Sequence, residues 1–407
     1  MTPLIRYCVA SPVGDLPVDR SRLDYCLEGD PLKTTYRTYF DVITAFLSRD
    51  YFRALRDAVN ERLGTDTGPA SLNEIIIRTE KHGALSHPAS IECVLPDKRV
   101  KFGLHIAVTD AGKDSLRKEF ETLKTLHARF SLPYIPVPYS LTEMNSMALL
   151  LEEWFEDFHE FHIANAEDGR QQIKLWEFGK GDRFLSSELS FEIYRQAAQI
   201  LTLYYDLSDY RLIYPWHHAA GDFVVKIEDV SNPPPPPFRK GGNYLNLSEN
   251  DKSQIIPPWE KGDKGGFLET IDVKLTTVRG YEPFMGFGEN DMPHPALALF
   301  YFLLHLSIQM RLDRIDGVGD VVWADDYCVD AALTGFVQGI EKRDDLRDCC
   351  GSVKSFLMLL KSFTKEELGK TAAPMAEQFE KTQDYDIINK NLHEHLELLY
   401  VTLQNFP

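Results

Sequence analysis

Two stretches hold the side chains best able to do chemistry together. Pro215-Trp216-His217-His218-Ala219-Ala220-Gly221-Asp222 sets two imidazoles and a carboxylate before the run Phe223-Val224-Val225, and Ile271-Asp272-Val273-Lys274-Leu275-Thr276-Thr277-Val278-Arg279 ends in a cation. A neutral imidazole can take a proton, a carboxylate can hold a cation, and a guanidinium can hold phosphate oxygens. Both runs have the period of strands and predict an antiparallel hairpin, in which the start of one strand lies beside the end of the other. His217, His218, Asp222 and Arg279 therefore gather at one end as candidate catalytic residues, and Asp272 falls toward the other. The plainer reading of the same residues is a turn braced by a histidine pair and an Asx-type aspartate.

Other elements must position this hairpin. Glu74 to Thr79, Ala89 to Leu95 and Lys101 to Val108 predict an antiparallel meander. In its third strand Phe102, Leu104, Ile106 and Val108 share one face, while Lys101, Gly103, His105 and Ala107 share the other. The second face is small apart from Lys101 and His105, as a strand lining a cleft would be. Asp114 can cap the next helix, whose apolar stripe runs through Leu116, Phe120, Leu123, His127 and Phe130. At 100° per residue Glu119 lies at the edge of that stripe and looks toward the sheet. Pro133 to Pro138 stops the helix, and Met147 to Leu151 predicts a buried strand leading into Glu152-Glu153-Trp154-Phe155.

Beyond Trp154 the strand signal largely gives out. Leu189 to Tyr204, Ala296 to Leu312, Val353 to Phe363 and Ile387 to Leu403 have helical periodicity, as do residues 32 to 64. The predicted organisation is a helical N-terminal extension (1–70), a small strand-rich lobe (71–153) and a helical lobe (154–407). The fold class is α+β and two-lobed. His159-Glu160-Phe161-His162 lacks the spacing of a metal-binding helix and predicts a solvated segment, and His393 and His395 point to different helix faces.

Residues 232–268 interrupt the hairpin with a Pro- and Gly-rich stretch that echoes itself at Pro-Pro-Phe238-Arg239-Lys240-Gly241-Gly242 and Pro-Pro-Trp259-Glu260-Lys261-Gly262. Its composition predicts a disordered loop and resembles the translated dispersed repeats of some bacterial genomes. A Pro-rich binding segment is the rival reading.

A net charge of -18 argues against nucleic acid or an anionic membrane as partner, because like charges repel. The six cysteines form no C-x-x-C pair, so neither a zinc ribbon nor a redox motif is expected and a reducing cytoplasm suits them. The first residues lack the apolar block of a secretory signal, and Ala296 to Leu306 is too short to span a bilayer.

The span Phe102 to Val108, then Ser115 to Leu123, Ile135-Pro136-Val137-Pro138 and Leu149 to Phe155, followed by a helical region with a Gly-Asp-Phe hairpin, resembles the aminoglycoside phosphotransferase group of protein-kinase-like folds. The resemblance covers about residues 72 to 340, in element order more than identity. It implies a phosphotransferase acting on a small molecule, or a catalytically inactive relative that keeps the cleft to bind a ligand or partner. ATP and Mg²⁺ are the implied cofactors.

Carried onto this chain, the family's phosphate-binding lysine falls on His105 and its helical glutamate on Glu119, with Glu153 beside the hinge as a third cofactor-binding candidate. If Gly221-Asp222-Phe223 matches the catalytic loop directly, Asp222 is the base and the metal-binding asparagine becomes Ile227, which cannot ligate. If the strand begins at Phe223, as the family's does, Asp222 takes the metal and His217 the base position. The second metal ligand then falls near Thr277 or Arg279, neither a good Mg²⁺ ligand. His82-Gly83-Ala84-Leu85-Ser86-His87-Pro88, where the family has its glycine-rich loop, holds one glycine.

Overall fold

The computed structural model describes residues 2–11, 14–19, 21–64, 72–80, 85–177, 179–217, 221–229, 269–283, 294–317 and 319–407. His218, residues 82–84 of the glycine-loop stretch and the 232–268 segment lie outside the described residues.

The first part of the chain runs β1 (Leu4–Ser11), β2 (Gly14–Pro17), α1 (Tyr36–Ser48), α2 (Arg53–Leu63), β3 (Glu74–Thr79), β4 (His87–Val94), β5 (Arg99–Ala107), α3 (Asp110–Arg129), β6 (Pro138–Met144) and β7 (Met147–Glu153). Its strands form one sheet in the order β2-β1-β3-β4-β5-β7-β6. The N-terminal segment is thus not purely helical. β1 and β2 extend the sheet, and β1 pairs in parallel with β3. That pairing joins residues about 70 apart, so no local pattern announces it.

Alternation along β5 sorts the two faces. Phe102, Leu104 and Ile106 enter a core with Phe40, Ile43 and Leu47 of α1 and Leu55 and Val59 of α2. On the opposite face Ala107, Ala148 and Leu150 meet Leu116 of α3. Thr109, not Asp114, caps α3, its hydroxyl accepting the Gly112 N–H at 3.1 Å, and Asp114 pairs instead with Arg117. The two-residue turn from β6 to β7 uses Asn145 (φ 50°) and Ser146 (φ 66°), the left-handed pair that matches the twist of a tight hairpin.

The second part runs β8 (His159–Asn165), β9 (Gln171–Glu177), β10 (Gly181–Phe184), α4 (Ser187–Leu203), β11 (Arg211–Ile213), β12 (Phe223–Asp229), β13 (Glu269–Leu275), β14 (Tyr281–Pro283), α5 (Pro295–Gln309), β15 (Leu312–Arg314), β16 (Val321–Trp323), α6 (Tyr327–Lys342), α7 (Asp344–Cys349), α8 (Val353–Ser362), α9 (Lys365–Glu377) and α10 (Tyr385–Asn405). Strands continue past Trp154 after all: β8, β9 and β10 join the hairpin in a second sheet, β10-β9-β8-β12-β13. His159 to His162 is part of β8, with Phe161 and His162 buried, so it is not a solvated segment.

β13 is the edge of that sheet, and α4 covers it. Gln196 accepts the Val273 N–H at 3.1 Å and donates to the Ile271 carbonyl at 2.8 Å, satisfying backbone groups that an open edge would leave to water. α4 packs closely on α6 because Gly335 and Gly339 have no side chain: a Cβ on Gly335 would stand 2.1 Å from the Arg195 carbonyl oxygen. Among the described residues no helix is long and apolar enough to cross a membrane.

α3 connects the two parts. Leu116, near its start, packs with the first sheet, whereas Leu123 and Leu126 belong to the large core around α4, α5 and α6. Glu119 sits between these two apolar stretches.

Candidate functional site

The hairpin end is built from backbone pairing. Phe223 lies opposite Leu275, so the residues just before β12 meet those just after β13. The Thr276 N–H donates to the Asp222 carbonyl at 2.7 Å, and its hydroxyl donates to the Gly221 and Asp222 carbonyls at 2.9 and 3.0 Å. Gly221 takes φ +85°, a conformation costly for other residues, and so turns the chain into the strand. Asp222 is thereby delivered 1% exposed, its Oδ2 accepting the His217 N–H at 2.7 Å and ion-paired with the Arg279 guanidinium. Burial raises the Asp222 carboxyl against the pull of Arg279 and His217. Asp272 stands opposite Lys226 and pairs with Lys274 at 3.4 Å, well along the strands from Asp222.

His217 joins Asp222 through its backbone rather than its ring. Burial lowers the affinity of the imidazole for a proton, although Asp222 opposes this, and its Nδ1 is buried with no hydrogen-bond partner. The ring is therefore neutral near pH 7.

The sheet end is built from strand parity. His105 lies opposite Leu150 on β7 and Glu152 opposite Gly103, so His105 and Glu152 are diagonal neighbours on one face. Gly103 leaves room for Glu152 to lie against the strand: a Cβ there would stand 3.4 Å from the Glu152 Cγ. His105 Nε2 donates to Glu152 Oε1 at 3.1 Å. Burial disfavours the imidazolium, but the Glu152 carboxylate, with Glu119 beyond it, outweighs burial and raises His105 to about 9. Glu119, on α3, accepts the Val278 N–H at 2.8 Å and so ties the helix to the residue before Arg279.

Glu153 does not join this group. It lies opposite Phe102, on the face toward α1 and α2, where it pairs with Arg62 and accepts the Val137 N–H at 3.3 Å. One residue of strand parity separates the expected Glu153 from Glu152, the residue that stands there. Glu160 of β8, expected in a solvated segment, also stands here: its carboxylate would lie 3.5 Å from a Cβ at Gly221. Its signal was the Phe161/Ile163 alternation, masked by flanking charge.

The donors present do not fit Mg²⁺. A hard cation needs several free oxygens, and Asp222 is engaged through Oδ2 by Arg279 and the His217 N–H, while Thr277 and Arg279, which follow β13 beside it, carry no carboxylate. Among the described residues no three His, Cys, Asp or Glu side chains are grouped to hold a metal ion. Cations on the His105 face are likewise engaged: Arg78 by Asp15 and Glu92, Lys101 by Glu80 at 3.7 Å, and His105 by Glu152.

No family model and no curated protein matches the chain. Among solved structures, a crystal structure of a kinase domain is similar over 83% of this chain and 92% of its own, at 9% identity and a TM-score of 0.30.

Proposed function

We propose that the chain is a protein-kinase-like protein whose cleft binds a ligand or partner and carries out no metal-dependent phosphoryl transfer. Support for the fold is the element order: β3 to β7 with α3 on the His105 face, a short connection after Glu153, the strands β8 to β10, then α4, the loop before β12, and the β12–β13 hairpin. In this reading residues 71–153 and 154–407 are the two lobes, and 1–70 augments the first.

The observation that carries the functional reading is the pairing of buried Asp222 with the part-exposed Arg279 guanidinium. Phosphoryl transfer depends on positioning and on metal ions that neutralise the developing charge. Here the carboxylate in the metal-ligand position is neutralised by the protein's own guanidinium. Drawing the guanidinium away leaves the desolvated Asp222 charge without its cation, a barrier to recruiting a metal in its place. His105, in the position of the phosphate-binding lysine, is similarly committed to Glu152.

A second reading, a divergent phosphotransferase using a nucleotide donor and a small-molecule acceptor, is favoured by His217. Its neutral, partly buried imidazole beside Asp222 is suited to act as a base. Phosphate release from ATP by the purified chain, with and without Mg²⁺, separates the two. The first reading predicts release no greater than in a protein-free control. Release that requires Mg²⁺ and disappears in both Asp222→Asn and His217→Ala would establish the second.

A further inference from the structure

We propose that the buried Glu119 carboxyl is a pH-sensitive joint between α3 and the hairpin, closed when it carries a proton and loosened when the proton leaves. The inference rests on the packing around α3 and stands whether or not the cleft turns over a substrate.

Glu119 lies where α3 passes from one apolar core to the other, so water cannot screen its charge. Among the described residues its one hydrogen bond out of the helix reaches the Val278 N–H, a contact between residues 159 apart in sequence. Glu119 is therefore a direct tie between the helix and the segment that presents Arg279 to Asp222.

The charges around it do not cancel. Glu152 of β7 and His105 of β5 face Glu119 from the sheet, and Arg279 and the Val278 N–H face it from the hairpin. Arg279 is spent on Asp222, and His105 on Glu152 Oε1. Lys118 and Arg117, its near neighbours on α3, pair elsewhere with Glu282 and Glu143. That leaves Glu119 and Glu152 as two buried carboxylates served by one imidazolium, with Glu152 Oε2 buried and without a partner. Among the described residues one negative charge is in excess, and a proton removes it. Burial and the Glu152 charge raise Glu119 to about 7, against the pull of His105, the Val278 N–H and Arg279. A protonated Glu119 still accepts the Val278 N–H through its carbonyl oxygen and no longer repels Glu152.

The folded state holds this proton more tightly than the unfolded chain does. Its contribution to stability is therefore greatest below the ordinary carboxyl value of 4.5, falls as pH rises to about 7, and is level beyond. Melting of the full chain from pH 4.5 to 8, with Glu119→Gln and Glu152→Gln in parallel, tests the proposal. Glu119→Gln keeps the hydrogen-bond acceptor without the charge, so its melting temperature should match the parent at pH 4.5 and exceed it by a gap that grows to pH 7. Exchange protection of the Val278 amide, compared at each pH with the unfolded rate, should fall between pH 4.5 and about 7 and level off beyond in the parent, and stay constant in Glu119→Gln. Parallel melting profiles, or Val278 protection independent of pH in the parent, would overturn the proposal. If Glu119→Gln does not fold, Glu152→Gln decides: removing the repelling charge must move the fall in Val278 protection to lower pH, and an unmoved fall overturns it.

Discussion

The hairpin end and the sheet end of the candidate site are assembled from the same kinds of group and differ in charge balance. At the hairpin end one buried carboxylate, Asp222, meets one guanidinium, Arg279, and the account closes. At the sheet end two buried carboxylates, Glu119 and Glu152, share one histidine. Arginine keeps its charge at every physiological pH, whereas histidine and a destabilised carboxyl do not. The hairpin end should therefore be a fixed strut, and the sheet end should respond to protons.

The comparison breaks most visibly at Arg279. Arg279→Met leaves Asp222 buried and unpaired and should cost about 3–5 kcal/mol near neutral pH. The loss should shrink at acid pH, where Asp222, already raised by burial, takes a proton; denaturant melts at pH 4.5 and pH 7 check this. Glu119→Gln should act in the opposite sense, gaining about 1–3 kcal/mol above pH 7 because it removes the surplus charge. His105→Gln should cost about 1–2 kcal/mol below pH 6.5 and progressively less toward pH 9. The sign follows from the raised histidine: the folded state keeps its proton up to about 9, so the stability it provides is whole below its ordinary 6.5 and lost as pH rises between the two. Smallest is Glu153→Gln. Its Arg62 partner is 41% exposed, and the pair should change stability by less than about 1 kcal/mol at any pH between 5 and 9.

Those groups were unequally visible in the sequence. Strict alternation of Phe102, Leu104 and Ile106 left only one face for His105, and the 100° step of a helix turned Glu119 toward the sheet; both depend on local periodicity alone. Antiparallel geometry was enough to put Asp222 beside Arg279 and to send Asp272 down the strands. Glu152 and Glu153 differ by one step in a period of two, and the strand ends at Glu153, where alternation no longer has following residues to fix the face. β1 was hidden because its partner, β3, lies about 70 residues on, and β8 because charged residues flank its apolar positions. The charge surplus was not legible at all. It depends on how deeply Glu119 and Glu152 are buried and on which cations are spent elsewhere, and both are set by tertiary packing.

The claim that Arg279 stands in for a metal is tested most directly by the melting temperature of the chain with ATP, measured with and without Mg²⁺. A ligand at about 100 times its dissociation constant stabilises the native state by about 2.7 kcal/mol, a readily measured shift. The account predicts that Mg²⁺ adds nothing to whatever ATP does. A further shift that needs Mg²⁺ and is lost in Asp222→Asn would contradict it.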